Sequence, residues 1–258
     1  MEINLFPKFL DEAVMPVAKK AGSTLSSIWT IAFGGIDIYA EKTHLKRVHA
    51  LNQFKDELEQ AVSSIPEENI IEPPLHIVGP SLEASKYYFE SDELRTMFAK
   101  LIAASINTET TLNAHPSFVE VIKQLSTLDA MNLVLFKIKA HYPIAKYSYL
   151  YNEEKNYATC LANVFLENPE NTDAELNATS MSNLQRLGLV SISYEEYLTT
   201  EGIYEKYLNG TFYQELKKEI KEDKTATEDV FFKANDILVQ KGIVELTSFG
   251  DDFIKICI

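Results

Sequence analysis

The sequence predicts a mainly α protein of the α+β class, with a helical amino-terminal half built on a long amphipathic helix and a winged-helix-like second part. Three observations carry this expectation. Ile28, Ile31, Ile38, Leu45, Val48, Leu51, Leu58 and Val62 recur at three-, four- and seven-residue steps, the period of one helix face. Tyr147, Tyr149 and Tyr151 alternate, as one face of a strand does. Finally, a helical pattern ending in Leu184-Gln185-Arg186-Leu187-Gly188-Leu189-Val190 runs into a strand, with a partner strand expected much later, the order of a winged helix.

Taken in order, residues 6–21 read as a helix with Phe6, Leu10, Val14 and Val17 on one stripe, Gly22 as its stop and Pro16 as a kink. The long helical pattern then covers 23–63, with polar residues opposite the apolar stripe. Pro66, Pro73 and Pro74 break it, and the last two are placed to open a helix carrying Leu75, Val78, Leu82 and Tyr87 toward a core. Ser91 is placed to cap a helix over 92–107 with an acidic first turn. His115-Pro116-Ser117 starts a short helix ending near Leu125, and Ser126-Thr127-Leu128-Asp129 is a capping-box variant opening an apolar helix through Lys139.

In the second half, Lys146–Tyr151 reads as a strand, Ala158–Leu166 as helical and Thr172–Leu187 as a helix closed by Gly188. Leu189–Ser193 and Gly242–Thr247 are the expected wing strands, separated by a charged helical insertion over Glu195–Lys241. This gives three segments: 1–64 with the apolar glycine-bearing stretch, 65–128 as a helical core, and 129–258 as the winged-helix-like part.

Composition narrows the function classes. The 258 residues are 46% hydrophobic and 24% charged, with nine Gly and nine Pro, which excludes collagen-like, low-complexity and wholly disordered chains. The 24 Lys+Arg against 38 Asp+Glu give −14, a poor match for a polyanion. The expected reading helix, Thr172–Leu187, carries one Arg (186) against Asp173 and Glu175 and so offers phosphate a net negative face, and residues 129–258 hold 13 basic against 21 acidic residues. Nucleic acid is therefore not the expected partner, and a nucleic-acid-binding regulator is the alternative reading. Cys160 and Cys257 are far apart without metal or disulfide spacing, which fits a reducing cytoplasm. The first residues lack the basic-then-apolar pattern of a secretory signal.

No chemistry-bearing constellation stands out. The histidines at 44, 49, 76, 115 and 141 have no metal-ligand spacing, and Gly34-Gly35 lacks the Lys-Ser/Thr of a phosphate loop. His115 beside Ser117 has the residue types of a base and a nucleophile. A helix start explains the same residues, with Ser117 in the first turn and His115 satisfying neighbouring backbone groups. No catalytic residue, cofactor or metal is expected, and the chain is not read as an enzyme. The most apolar stretch, Leu25–Ala40, is too short to span a bilayer by about four residues and contains Asp37. It reads either as a buried amphipathic helix packed closely through its glycine pair or as a segment that meets a membrane after a trigger. Ile28, Trp29, Ile31, Phe33, Gly34 and Gly35 are its candidate partner or membrane contacts.

The order of motifs adds a resemblance. Ile65–Gly79 (IPEENIIEPPLHIVG) is followed by Pro80-Ser81-Leu82-Glu83-Ala84, Tyr87-Tyr88 and Glu93–Ala103. His115-Pro116-Ser117-Phe118-Val119-Glu120 leads on to Asp129-Ala130, and the chain ends with Leu246-Thr247-Ser248-Phe249-Gly250, Phe253-Ile254 and Cys257. This series resembles the bacterial abortive-infection alpha family over most of the chain, most sharply over 65–130. The resemblance implies a role in defence against phage, in which an infected cell is arrested or killed before the phage matures. It brings no catalytic residues. It also implies an apolar, glycine-bearing amino-terminal segment like Leu25–Ala40. Pro73, Pro74, Gly79, Pro80, His115, Pro116 and Ser117 carry the likeness and are read as fold-specifying. The expected function is a non-enzymatic effector or sensor acting through a protein partner, self-association or a membrane, in the cytoplasm and peripheral to the inner membrane when active.

Overall fold

Proline, glycine and capping residues divide the chain into its elements, seen in a computed structural model that describes residues 7–34, 44–151, 157–226 and 234–258. The fold is mixed α+β. It comprises two compact units, one of Met1–Ala130 with Asp251–Ile258 and one of Met131–Gly250. The expected segments 1–64 and 65–128 fall in the first unit, which the last eight residues complete.

The first unit is helical. Pro16 lacks an N–H and has its φ preset for a helix, so it opens a helix instead of kinking one. α1 is Pro16–Phe33 and α2 is His44–Ser63. This corrects the expected helices over 6–21 and 23–63. Residues 7–15 form a non-helical strap, and Gly22 sits inside α1 instead of ending it. Val48, Leu51, Phe54, Leu58 and Val62 form the buried face of α2, as the periodicity required. Gly35, Asp37 and Ile38 lie outside the described residues.

Beyond a short 3₁₀ turn at Glu67–Asn69 come α3 (Leu75–Ser85), α4 (Asp92–Ser105) and α5 (Phe118–Lys123). α6 (Thr127–Leu135) starts at the expected capping box: Ser126 N–H donates to Asp129 Oδ2 at 2.7 Å, and Asp129 N–H donates to Ser126 Oγ at 3.1 Å. It ends at Leu135, short of the expected Lys139. α4 is fixed to α2 by Arg95, which is 4% exposed and donates to Glu57 Oε1 through Nη2 at 2.7 Å and Nε at 2.9 Å. Burial works against that charge. Hydrogen bonding and attraction from Glu57, then from Asp92, outweigh it and hold the guanidinium above its ordinary range.

The second unit is built on an antiparallel sheet ordered β2-β1-β4-β3, from β1 (His141–Leu150), β2 (Tyr157–Val164), β3 (Val190–Ser193) and β4 (Asp236–Leu246). Residues 158–166, expected to be helical, are mostly strand. Their alanines and leucines suit a helix, but antiparallel pairing with β1 decides the conformation. α7 (Ala174–Arg186) has Asp173 as its cap and ends at Gly188, whose φ of +74° turns the chain so that Leu189 N–H reaches Leu184 O.

The insertion between β3 and β4 holds α8 (Glu205–Asn209) and α9 (Thr211–Ala226), and it ends before β4 begins at Asp236. Tyr204, Tyr207, Leu216 and Ile220 pack on Ala145, Tyr147, Val164 and Ile237 of the sheet. Each buried hydroxyl finds a backbone acceptor: Tyr147 donates to Tyr207 O, Tyr207 to Pro143 O and Tyr204 to Gly242 O, at 2.7–2.9 Å. Another satisfied polar group is the amide cluster of Asn132, Asn168, Asn177 and Ser180. Asn132 Nδ2 donates to Asn177 and Ser180, and Asn168 Nδ2 donates to Asn132.

Candidate functional site

The candidate contact residues of the apolar segment separate by helix geometry into two groups. On α1, Trp29 and Phe33 point inward and are buried at 1% and 5% exposure. Trp29 packs at 4.4 Å from Phe33, 5.6 Å from Phe54 and 6.1 Å from Phe9, measured between ring centroids. Ile31 points outward at 83% exposure, Ile28 is half-buried, and Gly34 closes the helix by donating its N–H to Thr30 O at 2.8 Å. Val14 and Val17 are also exposed at the other end of the helix. α1 thus presents a large aromatic face inward and isolated aliphatic side chains outward. Among the described residues, no helix is long and apolar enough to cross a membrane.

Two features that sequence reasoning missed hold this helix in place. The first is the strap. Phe9 is buried against Trp29, and Leu10 adopts a φ of +56°, a backbone region that costs a β-carbon-bearing residue about 1–2 kcal/mol. A Cβ on Gly22 would overlap the Phe9 carbonyl oxygen, so the strap crosses α1 where the helix has no side chain. The second is Glu67. Its carboxylate accepts the N–H groups of Val14 at 2.9 Å and Met15 at 2.8 Å, placing negative charge at the start of α1, where the helix dipole favours it. Neither has a local signal, because Phe9 and Glu67 act across long stretches of chain.

The motif residues are positioned by helix starts. Pro74 precedes α3, and its carbonyl accepts from Ile77 and Val78 N–H; Pro73 is buried beside it. Pro80 lies inside α3 on the exposed side, and a Cβ on Gly79 would meet nothing. At α5, Ser117 occupies the cap position, but its hydroxyl does not cap. His115 Nδ1 accepts the Ser117 N–H at 3.1 Å and lies 2.6 Å from Ser117 Oγ. With the backbone N–H already donating to it, Nδ1 carries the lone pair, so the hydroxyl donates and the ring hydrogen sits on Nε2. His115 and Pro116 are exposed. The pair has the residue types of a base and a nucleophile, but both belong to one turn, in which His115 serves the Ser117 backbone N–H and holds its hydroxyl.

The final motif has an equally local reason. Gly250 N–H donates to Thr247 Oγ1 at 2.9 Å as α10 (Ser248–Cys257) begins, and a Cβ at Gly250 would overlap the Leu189 carbonyl oxygen. Within the first unit, Phe253 is fully buried edge-on to Phe118 at 5.1 Å, and Asn113 donates to Asp252. Cys257 is buried as well, and burial pushes its thiol far above the ordinary range, where it is chemically inert. Among the described residues, no group of three or more His, Cys, Asp and Glu could hold a metal ion.

The motifs form one ordered series of helix starts and close crossings, and a sequence profile described as Abortive infection alpha matches residues 46–257. The chain belongs to the abortive infection alpha family. The match spans both units but begins at α2, so the strap, α1 and the apolar segment Leu25–Ala40 lie outside it. No curated protein and no solved structure matches the chain. Family membership indicates a phage-defence role for this abortive infection alpha chain.

Proposed function

We propose that this chain acts in phage defence without catalysis, as an effector or sensor whose working element is α1. The observation that carries this reading is the division of α1 between an inward aromatic face and outward Val17 and Ile31, which gives one helix a resting partner and a surface for a second one. That second partner is a protein, another copy of the chain or a membrane surface. The chain works in the cytoplasm and reaches the inner membrane only on activation. Burial of a side chain such as Ile31 yields about 1.5–3 kcal/mol whichever apolar surface receives it. The segment from α7 through β3 to β4 is a winged-helix-like scaffold in this reading.

A nucleic-acid-binding regulator is disfavoured. Arg186 of α7 is held by Asn183 Oδ1 at 2.7 Å, and Asp173 and Glu175 occupy the other end of the helix. The test is inducible expression in a phage-challenged bacterial host, with viability and membrane potential as readouts. Ile31→Asp and Val17→Asp change exposed positions and leave the fold intact, and both are expected to lose protection. Full protection by both folded variants overturns α1 as the working element.

A further inference from the structure

The strap over α1 is attached in a way that differs from the core beneath it. Its main apolar anchor is the Phe9 ring against Trp29. Its polar attachments are backbone N–H groups held by two carboxylates: Lys8 N–H donates to Glu59 Oε1 at 2.6 Å, and Val14 and Met15 N–H donate to Glu67. Between these points Phe9 and Ala13 are buried, while Asp11 and Glu12 stay exposed. Lys8, Leu10, Asp11 and Ala13 border an open cavity of about 430 Å³ whose far side is Ser63, Ile65 and Glu67. Leu10 holds a left-handed backbone that opposes the seated position, and the strap fits only because Gly22 has no side chain. A segment held through a few contacts, strained at Leu10 and bordered by open space on its Ser63–Glu67 side can lift without unfolding what it covers.

We propose that residues 7–15 are a latch: seated, they hold α1 with Trp29 over Phe54; lifted, they let α1 leave α2 and α3 while the rest of the first unit stays folded. This rests on the reading of α1 as the working element and supplies its control. In the lifted state Leu10 relaxes to an ordinary backbone, Phe9 vacates the aromatic cluster, and the inward face of α1 becomes accessible in addition to the outward Val17 and Ile31. The seated state prevails as long as the Phe9 site and the Glu67 cap are intact.

Trp29 is the only tryptophan in the chain, so its accessibility reads the latch directly. The experiment measures acrylamide quenching of Trp29 and amide hydrogen exchange of α1 and α4 in the full chain. Phe9→Ala removes the anchor and raises the lifted population about a hundredfold, by the usual cost of a Phe→Ala cavity. Glu67→Gln is the milder loosening variant, retained in case Phe9→Ala does not fold. Leu10→Asn tolerates the left-handed backbone and lowers the lifted population about fivefold. The expected result is faster α1 exchange and stronger quenching in the loosened variants, the opposite in Leu10→Asn, and unchanged α4 exchange in all. Trp29 exposure that always keeps step with α4 exchange overturns the latch, as does Leu10→Asn opening at or above the parent rate. These readouts need no phage, so the latch and the role of α1 in protection fail separately.

Discussion

Arg95 donates to Glu57 from two nitrogens, and this pair is the charged joint between α2 and α4. Asp92 adds a bond at 2.8 Å from its exposed position. The pair has no local sequence signal, because Glu57 and Arg95 meet only once α2 and α4 lie side by side.

The two carboxylates around Arg95 are not equivalent. Glu57→Gln leaves a buried guanidinium short of its main partner. With Glu57 itself about one-third exposed, the cost falls toward the low end for broken buried pairs, about 2–3 kcal/mol. Asp92→Asn acts on an exposed side chain and costs under about 1 kcal/mol. Urea unfolding of both variants checks the order, and equal losses refute it.

In the amide cluster, Asn132→Leu removes the donor that Asn177 and Ser180 accept and the acceptor that Asn168 uses. Leaving buried polar groups unpaired costs about 1–3 kcal/mol each, so a total loss of at least about 2 kcal/mol is expected. Thermal unfolding of this variant beside Asn132→Asp, which keeps the acceptor, separates lost bonding from lost shape.

At Gly250, any side chain meets a backbone oxygen that cannot move aside. Gly250→Ala is expected to cost about 3 kcal/mol or more, whereas Gly79→Ala, with open space around its Cβ, gains the better helix propensity of alanine by up to about 1 kcal/mol. Both lie in family motifs. A chemical denaturation comparison therefore tells which motif glycine serves packing.

Alkaline pH should weaken the second unit. Burial holds the hydroxyls of Tyr147, Tyr194 and Tyr207 above their ordinary range. The folded state therefore keeps protons that the unfolded chain gives up near pH ~10, and stability present below that pH is lost as pH rises beyond it. Melting curves across that range, with tyrosinate absorbance followed in parallel, test this. Tyr207→Phe should flatten the dependence while lowering stability at neutral pH, because its hydroxyl also accepts from Leu166 N–H.

Local chemistry was legible where a few neighbouring residues decide the outcome. The Ser126–Asp129 box, the Pro73-Pro74 helix start and the stop at Gly188 stand as the sequence pattern implies, and of the alternating tyrosines Tyr147 and Tyr149 lie in β1 while Tyr151 falls just past its end. The strand over Tyr157–Val164 was illegible because the segment has no clean alternation and only pairing with β1 makes it a strand. The strap was illegible for the same reason: Phe9, Gly22 and Glu67 matter through contacts tens of residues apart. Ile28, Trp29, Ile31 and Phe33 were recognised as a set, but the sequence could not say which of them face inward.

The place of β4 and of the last eight residues has a consequence for synthesis. β4 lies between β1 and β3, so the sheet has no continuous ladder until residues 236–246 have left the ribosome. Phe253, Asp252 and Cys257 belong to the first unit, so its core also waits for the end of the chain. A nascent product that stops short of residue 236 therefore contains neither finished unit. Pairings between such distant segments form late and are slow to close. A chain cut before residue 236 lacks both the strand that joins β1 to β3 and the helix residues that complete the first core.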